Sequence, residues 1–342
     1  MQISNRDLFP TSATKTQYEE IIPLIDQPLI DGEFLRHDRA AIGAKKQYHR
    51  FGQLAIVLVA LSAIFTIAEA LVLPVLFQNV VLTYLAVTMA FVGIVLQCYI
   101  IFTHQKKKWL LNRYASEYIR SLKFQSFVLA HEAKDKNHLS ELVNAYAVKQ
   151  IARLQNQLNA GYAILTDFSP GKISEQLRPA TRKTASNPEL SALALEAYLE
   201  LRFDYQKNFS LNNVEAFKVR RRWFTSSQDM IYLTAAIMAF ISLGAKVLTN
   251  AGASIPTDWI DFSAITLFIL GATEAIMDNA LLEEQSQVRY EQYVRELSET
   301  HTRLDNLRKS QILPDYVLNI ELVCLGELGE FCRSAERISY RF

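Results

Sequence analysis

Four apolar blocks limit what this chain can become. The first, QLAIVLVALSAIFTIAEALVLPVLF, starts at Gln53 and runs for about 20 apolar-rich residues before Pro74, the length that a bilayer's hydrocarbon core requires of a helix. The second, VVLTYLAVTMAFVGIVLQCYIIF, covers residues 80–102. Only Pro74 to Asn79 separate the two, which leaves room for a tight hairpin and nothing more. MIYLTAAIMAFISLGAKVL at 230–248 and FSAITLFILGATEAIMDNALL at 262–282 form a second pair, and this pair carries charges. A large soluble protein could bury helices of this kind, and 50% hydrophobic with 21% charged residues suits either class. The gathering of the apolar residues into blocks is what favours membrane spans.

Orientation follows from the basic residues beside the blocks. Lys45, Lys46 and Arg50 precede the first, Lys106, Lys107, Lys108 and Arg113 follow the second, and Lys218, Arg220, Arg221 and Arg222 precede the third. The loop at 74–79 has no charge, and the loop near 249–261 has Asp258 and Asp261 but no base. Both hairpins are therefore expected to point outward. Both termini and the long middle stretch then lie in the cytoplasm, beneath an inner (plasma) membrane, and Lys106–Lys108 with Arg220–Arg222 act as inner-leaflet anchors. These basic clusters could also hold lipid head groups or a nucleotide phosphate, but anchoring explains them without a ligand.

The remainder reads as helix. WLLNRYASEYIRSLKFQSFVLAHEAK continues from the second span without Gly or Pro, SALALEAYLELRFDYQKNFSLNNVEAFKVRRRWF leads into the third, and EEQSQVRYEQYVRELSETHTRLDNLRKS leaves the fourth. These stretches are long, charged and studded with aromatics, as a helical bundle requires. The expected fold class is an all-α membrane protein, with four transmembrane helices as two hairpins and long helices extending into a cytoplasmic bundle. DFSPGKISEQLRPATRKTASNPEL at 167–190 carries the Pro, Gly and Ser breaks of a linker. The expected organisation is an N-terminal segment at 1–37, a first two-span unit at 38–166, the linker, and a second two-span unit at 191–342.

Several functions are disfavoured. A net charge of +1 gives no field to draw in nucleic acid, so no nucleic-acid partner is expected. MQISNRDLFPTSATKTQYEE lacks the apolar core of a signal peptide. Cys98, Cys324 and Cys332 form neither a CxxC pair nor an even disulfide framework. SPGKI at 169–173 departs from a phosphate loop, with Thr166 where a Gly is needed and Ile173 in place of Ser or Thr. The histidines of HEAKDKNH at 131–138 are seven apart, the wrong spacing for a zinc-protease helix. No enzymatic activity, metal or cofactor is expected.

The halves share one plan: cytoplasmic helix, basic end, two-span hairpin, charged helix. QYHRF before the first span matches RRRWF before the third, and WLLNRYASEYIR matches SQVRYEQYVREL with a one-residue slip and no second tryptophan. The plan resembles the SLATT family, the SMODS- and SLOG-associating two-transmembrane effector domains, here in two tandem copies. A pattern like W-x3-R-x2-A-E-x2-R reads as Trp109, Arg113, Ser116, Glu117 and Arg120, with Ser116 where a small residue is usual. A Y-x3-R-x3-Q-x2-Y pattern reads as Tyr198, Arg202, Gln206 and Phe209, with Phe for the final Tyr. The resemblance covers most of residues 38–310. It implies a membrane effector of a bacterial anti-phage, abortive-infection system, with a nucleotide-synthesising or signal-sensing partner, that breaches the membrane of an infected cell.

Polar residues within the spans raise a separate question, because a charge at the bilayer centre costs roughly 2.5–3.5 kcal/mol on insertion scales. Ser263, Gly271, Glu274 and Asp278 project within one arc of about 80° on the fourth span. Ser62, Thr66 and Glu69 align on the first, and Ala235, Ala239, Ser242 and Lys246 on the third. Ala86, Ala90, Gly93 and Gln97 give the second a small-xxx-small face suited to close helix contact. The stripes either pair inside the four-helix unit or line a water-filled path between subunits. Glu274 and Asp278 sit at a different depth from Lys246, which argues against direct pairing with it. The candidate path therefore comprises Glu274, Asp278, Ser263 and Glu69. The expected function is a pore-forming or membrane-disrupting homo-oligomer in contact with the lipid bilayer and triggered through its cytoplasmic helices. The alternative is a non-conducting scaffold or sensor that docks a soluble partner. A transporter would need broken helices, at which only Gly93, Gly244 and Gly271 hint.

Overall fold

The computed structural model describes residues 5–71, 80–180, 185–250, 257–281, 283–306 and 312–337. Within these residues the protein is all α, without strand. Its long helices are α1 (Pro28–Leu71), α2 (Val80–Thr103), α3 (Gln105–Gln125), α4 (Lys136–Leu158), α5 (Pro188–Tyr198), α6 (Tyr205–Asn250), α7 (Asp258–Leu281), α8 (Glu283–Asn306) and α9 (Ile312–Arg337).

The helices begin where local chemistry favours them. Asp135 caps α4 by accepting from the His138 amide at 2.9 Å, and Asn187 caps α5 by accepting from the Glu189 and Leu190 amides. Proline occupies the first position of α1 and α5, where its missing N–H costs nothing. The sequence predicts one helix running from the second span into WLLNRYASEYIR. Instead the helix breaks at His104, whose φ of 52° is left-handed. Histidine tolerates that region better than β-branched residues do, so no glycine marks the break. Between α5 and α6, residues Leu199–Asp204 form a π-helical turn.

Contacts group the chain into two compact units that take residues from both halves of the sequence. One comprises Met1–Gly43, Lys107–Ala216 and Gln285–Glu336, and the other Ala44–Lys106, Phe217–Glu284 and Arg337–Phe342. The sequence division at 167–190 runs along the chain, whereas this grouping interleaves the halves.

The first unit holds an aromatic core. Phe124 and Phe127 stack with ring centroids 5.8 Å apart, and Tyr198 meets both edge-on. Tyr114 and Tyr118 of α3 and Phe34 of α1 are fully buried as well. Part of the expected linker is ordered here. Pro170–Leu177 is a helix whose Ile173 and Leu177 are buried, and the Tyr146 hydroxyl donates to the Leu177 carbonyl at 2.5 Å. Phe168 packs onto Gly329 so closely that a Cβ there would meet its ring at 2.8 Å.

The second unit contains the apolar stretches of the long helices. Four helices among the described residues are long and apolar enough to cross a membrane: Glu19–Leu71, Val81–Thr103, Ser226–Asn250 and Asp258–Met277. Only 11–17% of each apolar window is buried inside the protein, so most of that surface needs an apolar surrounding. Phe91, Phe102, Phe240 and Val87 are examples, each more than 60% exposed. The chain thus has the make-up of a multi-pass helical membrane protein, in contact with a lipid bilayer.

Candidate functional site: a buried charge cluster and the polar groups of the spans

The spacing Arg113–Glu117–Arg120 puts three charged side chains on one face of α3. Arg113 Nη2 lies 2.8 Å from Glu117 Oε1, and Arg120 Nε lies 3.3 Å from Glu117 Oε2. Arg120 reaches away from its helix as well. Its Nη1 donates to Asp7 Oδ2 at 2.6 Å and its Nη2 to Asn5 Oδ1 at 2.7 Å.

Arg202 approaches the same acid from the π-helical turn. An extra residue in one turn offsets the helical register there, a device found often at functional sites. Arg202 Nη1 lies 3.8 Å from Asp7 Oδ2, while Nε and Nη2 fork onto Glu321 of α9 at 2.7 and 3.1 Å. The Tyr198 hydroxyl also donates to Glu321, at 3.1 Å, and Gln206 Nε2 donates to Asp7 Oδ2 at 3.5 Å. The Arg202 guanidinium sits over the Phe124 ring, 4.9 Å from its centroid. Trp109 is buried edge-on to Phe331, with centroids 5.8 Å apart.

The two motif patterns therefore converge. Arg113, Glu117 and Arg120 from one, and Tyr198, Arg202 and Gln206 from the other, form one network joined through Asp7, with Glu321 held by Tyr198 and Arg202. Burial alone would raise the Glu117 carboxyl, but Arg113, Arg120 and Arg202 outweigh it and hold it below the ordinary value. Burial pushes Arg120 toward losing its proton, yet Asp7 and Glu117 dominate and keep it charged. Glu327 goes the other way: burial raises it, and Arg289, 3.0 Å away, offsets only part. Burial pushes the Cys324 thiol up to about 12, and Tyr293 lies 3.1 Å from its sulfur.

A cavity of about 230 Å³ adjoins this network. Asp38, Arg113, Glu117 and Glu327 form its charged wall, while Tyr205, Phe209, Tyr290 and Tyr293 supply aromatic surface. Arg113 and Asp38 are 4.0 Å apart across it.

Sequence reasoning missed Asp7, Glu321, and the pair Lys123–Asp31, whose Nζ and Oδ1 are 2.7 Å apart. Glu321 had a readable signal, as a lone acid in the apolar run YVLNIELVCL. Asp7 had none, because both of its arginines are more than a hundred residues away in sequence.

In the span unit, Ala86 and Gly93 are buried and Ala90 and Gln97 half-buried. A Cβ on Gly93 would lie 2.9 Å from Val59 Cγ2 and 3.2 Å from the Ala55 carbonyl, so α2 approaches α1 at this glycine. Gly271 approaches α6 in the same way, against the Tyr232 ring.

The span acids are held by neighbouring helices. Glu274 accepts from Ser227 at 2.5 Å, and Glu69 accepts from Thr83. Lys246 pairs with Asp261 at 2.7 Å, and Ser242 donates to the same carboxylate. Ser263 does not join Glu274, since its hydroxyl donates to the Trp259 carbonyl one turn back at 2.8 Å. Of the basic anchors, Lys107 and Lys108 are exposed and Lys106 half-buried. Lys107 also lies 5.4 Å from the Tyr162 ring centroid. The side chains of Asp278, Arg220, Arg221 and Arg222 lie outside the described residues. Among the described residues, no group of three or more His, Cys, Asp or Glu is placed to hold a metal ion.

Fold and site together define a helical protein with four membrane-spanning candidates in one unit and buried arginine–carboxylate pairs in the other. No family model matches the chain, and neither does a curated protein or a solved structure.

Proposed function

We propose that the protein is a membrane effector of a bacterial defence system, related to the SLATT domains and built from two tandem two-span units. In this reading it assembles as a homo-oligomer in the inner membrane, with both termini in the cytoplasm. A nucleotide signal or a sensor protein acting on the cytoplasmic helices triggers it to conduct ions or breach the bilayer. It has no catalytic role. The observation that carries the reading is the convergence of Arg113, Glu117 and Arg120 with Tyr198, Arg202 and Gln206 around Asp7 and Glu321. The residues on which the family resemblance rests are the ones that organise the helical unit.

A non-conducting scaffold or sensor is the second reading, and one observation favours it. Glu69, Glu274 and Asp261 each accept a hydrogen bond from a hydroxyl on a neighbouring span. Carboxylates held this way inside one chain do not need a hydrated path between subunits.

Proteoliposomes loaded with a potassium gradient separate the two. An effector discharges the gradient, and replacing Glu274→Gln together with Asp278→Asn removes its cation preference while the protein still reaches the membrane. A protein that never discharges the gradient, alone or in cells under phage attack, is the scaffold. For orientation, cysteines replacing Asp258 and Lys172 are introduced into a chain whose native cysteines are changed to alanine. An impermeant maleimide applied outside should label the first and spare the second; the reverse pattern overturns the assignment.

A further inference from the structure

Asp7 is held through one oxygen only. Its Oδ2 takes the Arg120 hydrogen bond at 2.6 Å and also lies near Arg202 Nη1 and Gln206 Nε2, at 3.8 and 3.5 Å. Among the described residues, Asp7 Oδ1, Arg120 Nε and Arg202 Nη1 are buried without a hydrogen-bond partner. Arg120 Nε is close to Glu117 but too poorly aimed to bond it. Two arginines that are 4% and 2% exposed thus present more donors than this carboxylate uses, and the carboxylate keeps an acceptor idle. Orphaned buried donors and acceptors are costly, so the match between Asp7 and its site is a poor one.

The arginines have other acids for their charge. Arg202 forks onto Glu321, and Arg120 shares Glu117 with Arg113. Without Asp7, the guanidinium groups of Arg113, Arg120 and Arg202 would face Glu117, Glu321 and Asp38 in equal number, so an anion that takes the place of Asp7 restores the charge the cluster already carries. Asp38 also accepts from the Asn5 amide at 3.5 Å, and one further acid, Glu327, has a base of its own in Arg289. The 230 Å³ cavity reaches the centre along Asn5, Arg120 and Gln206 and is far larger than a tetrahedral oxyanion.

We propose that Arg120, Arg202 and Gln206 form an oxyanion site in which the Asp7 carboxylate is the resident, and that a phosphate-type oxyanion displaces it. Guanidinium pairs suit phosphate because its several oxygens accept in directions that a carboxylate held on one oxygen leaves unused. Displacement would also loosen the segment Asn5–Phe9. That segment is held by Asn5 on Arg120 and by Lys123, whose Nζ donates to the Leu8 carbonyl at 2.7 Å. The site concerns the helical unit and stands whether or not the spans conduct.

The test uses the full chain in a phosphate-free detergent, with inorganic phosphate titrated calorimetrically against chloride at equal ionic strength. Asp7→Asn removes the internal competitor and keeps its shape, so this variant should bind phosphate about tenfold tighter than the parent, or more. Adding Arg202→Gln should abolish the gain. Equal binding by parent and Asp7→Asn, or a gain that survives Arg202→Gln, overturns the proposal. Should Asp7→Asn fail to fold, hydrogen exchange on the parent decides. Phosphate should speed exchange at the Arg6 to Phe9 amides relative to chloride, and unchanged exchange there overturns it. Repeating the titration with nanodiscs containing phosphatidic acid identifies the source: a gain there as well assigns a lipid headgroup among the ligands, and a gain with inorganic phosphate alone assigns a soluble one.

Discussion

Arg202 and Glu321 are 119 residues apart in sequence and meet in a two-bond fork, with side chains 2% and 0% exposed. A buried pair of this kind recovers its desolvation cost only while both partners and their hydrogen bonds are present. The Tyr198 hydroxyl supplies a third bond to the carboxylate, and the Phe124 face covers the guanidinium.

Removing one partner should therefore be far worse than removing both. Glu321→Gln or Arg202→Met alone is expected to cost about 3–5 kcal/mol, because each leaves a buried charge unpaired. The double change Arg202→Met with Glu321→Leu should recover most of that loss. Unfolding followed in detergent for the four members of the cycle measures the coupling. Additive losses would mean that the two residues stabilise the unit independently.

The glycines of the spans should divide by what faces them. A leucine at Gly93 meets Val59 and the Ala55 carbonyl, and one at Gly271 meets Tyr232. Overpacking of this sort costs about 1–3 kcal/mol and should lower the melting temperature or change the mass of the solubilised protein. Gly244 has nothing within 4 Å of its would-be Cβ. Gly244→Ala should leave the mass unchanged and the melting temperature equal or slightly higher, since alanine is the better helix former by about 1 kcal/mol.

Acid should act on Glu117 and Glu327 with opposite signs. Glu117 is held below its ordinary value of 4.5 by its arginines, so the stability it contributes is present above that pH and is lost as pH falls through the lowered value. Glu117→Gln should then lower the melting temperature at neutral pH and flatten its fall below pH 4.5. Glu327 is raised by burial, so its contribution is present below 4.5 and is lost as pH rises through the raised value. Glu327→Gln should flatten the curve just above 4.5, leaving the melting temperature there less sensitive to acid. Melting curves across the acid range check both signs.

Much of the site was half legible. The i, i+4 and i, i+3 spacing of Arg113, Glu117 and Arg120 already placed them on one helical face, and the Tyr198–Arg202–Gln206 spacing suggested a second. Their meeting was not legible, because helical spacing says which residues share a face and nothing about which faces meet. The π-helical turn at Leu199–Asp204 adds a reason, since it changes the register that regular spacing assumes. In the spans, Ser263 aligned with Glu274 on paper but bonds its own backbone, a choice open to any serine within a helix.

The amino-acid sequence by itself determined that the chain is helical and that four of its helices suit a bilayer. Both follow from local quantities: the length of an apolar run, its hydropathy, and the need to satisfy every backbone group where water is absent. Only the tertiary structure decided which charges meet. Asp7 reaches Arg120 and Arg202, Glu321 reaches Arg202, and Ser227 reaches Glu274 across distances in sequence that no local pattern records. The physical reason is that a buried charge must find a partner wherever packing brings one, so its partner is set by the meeting of helices rather than by its neighbours in the chain.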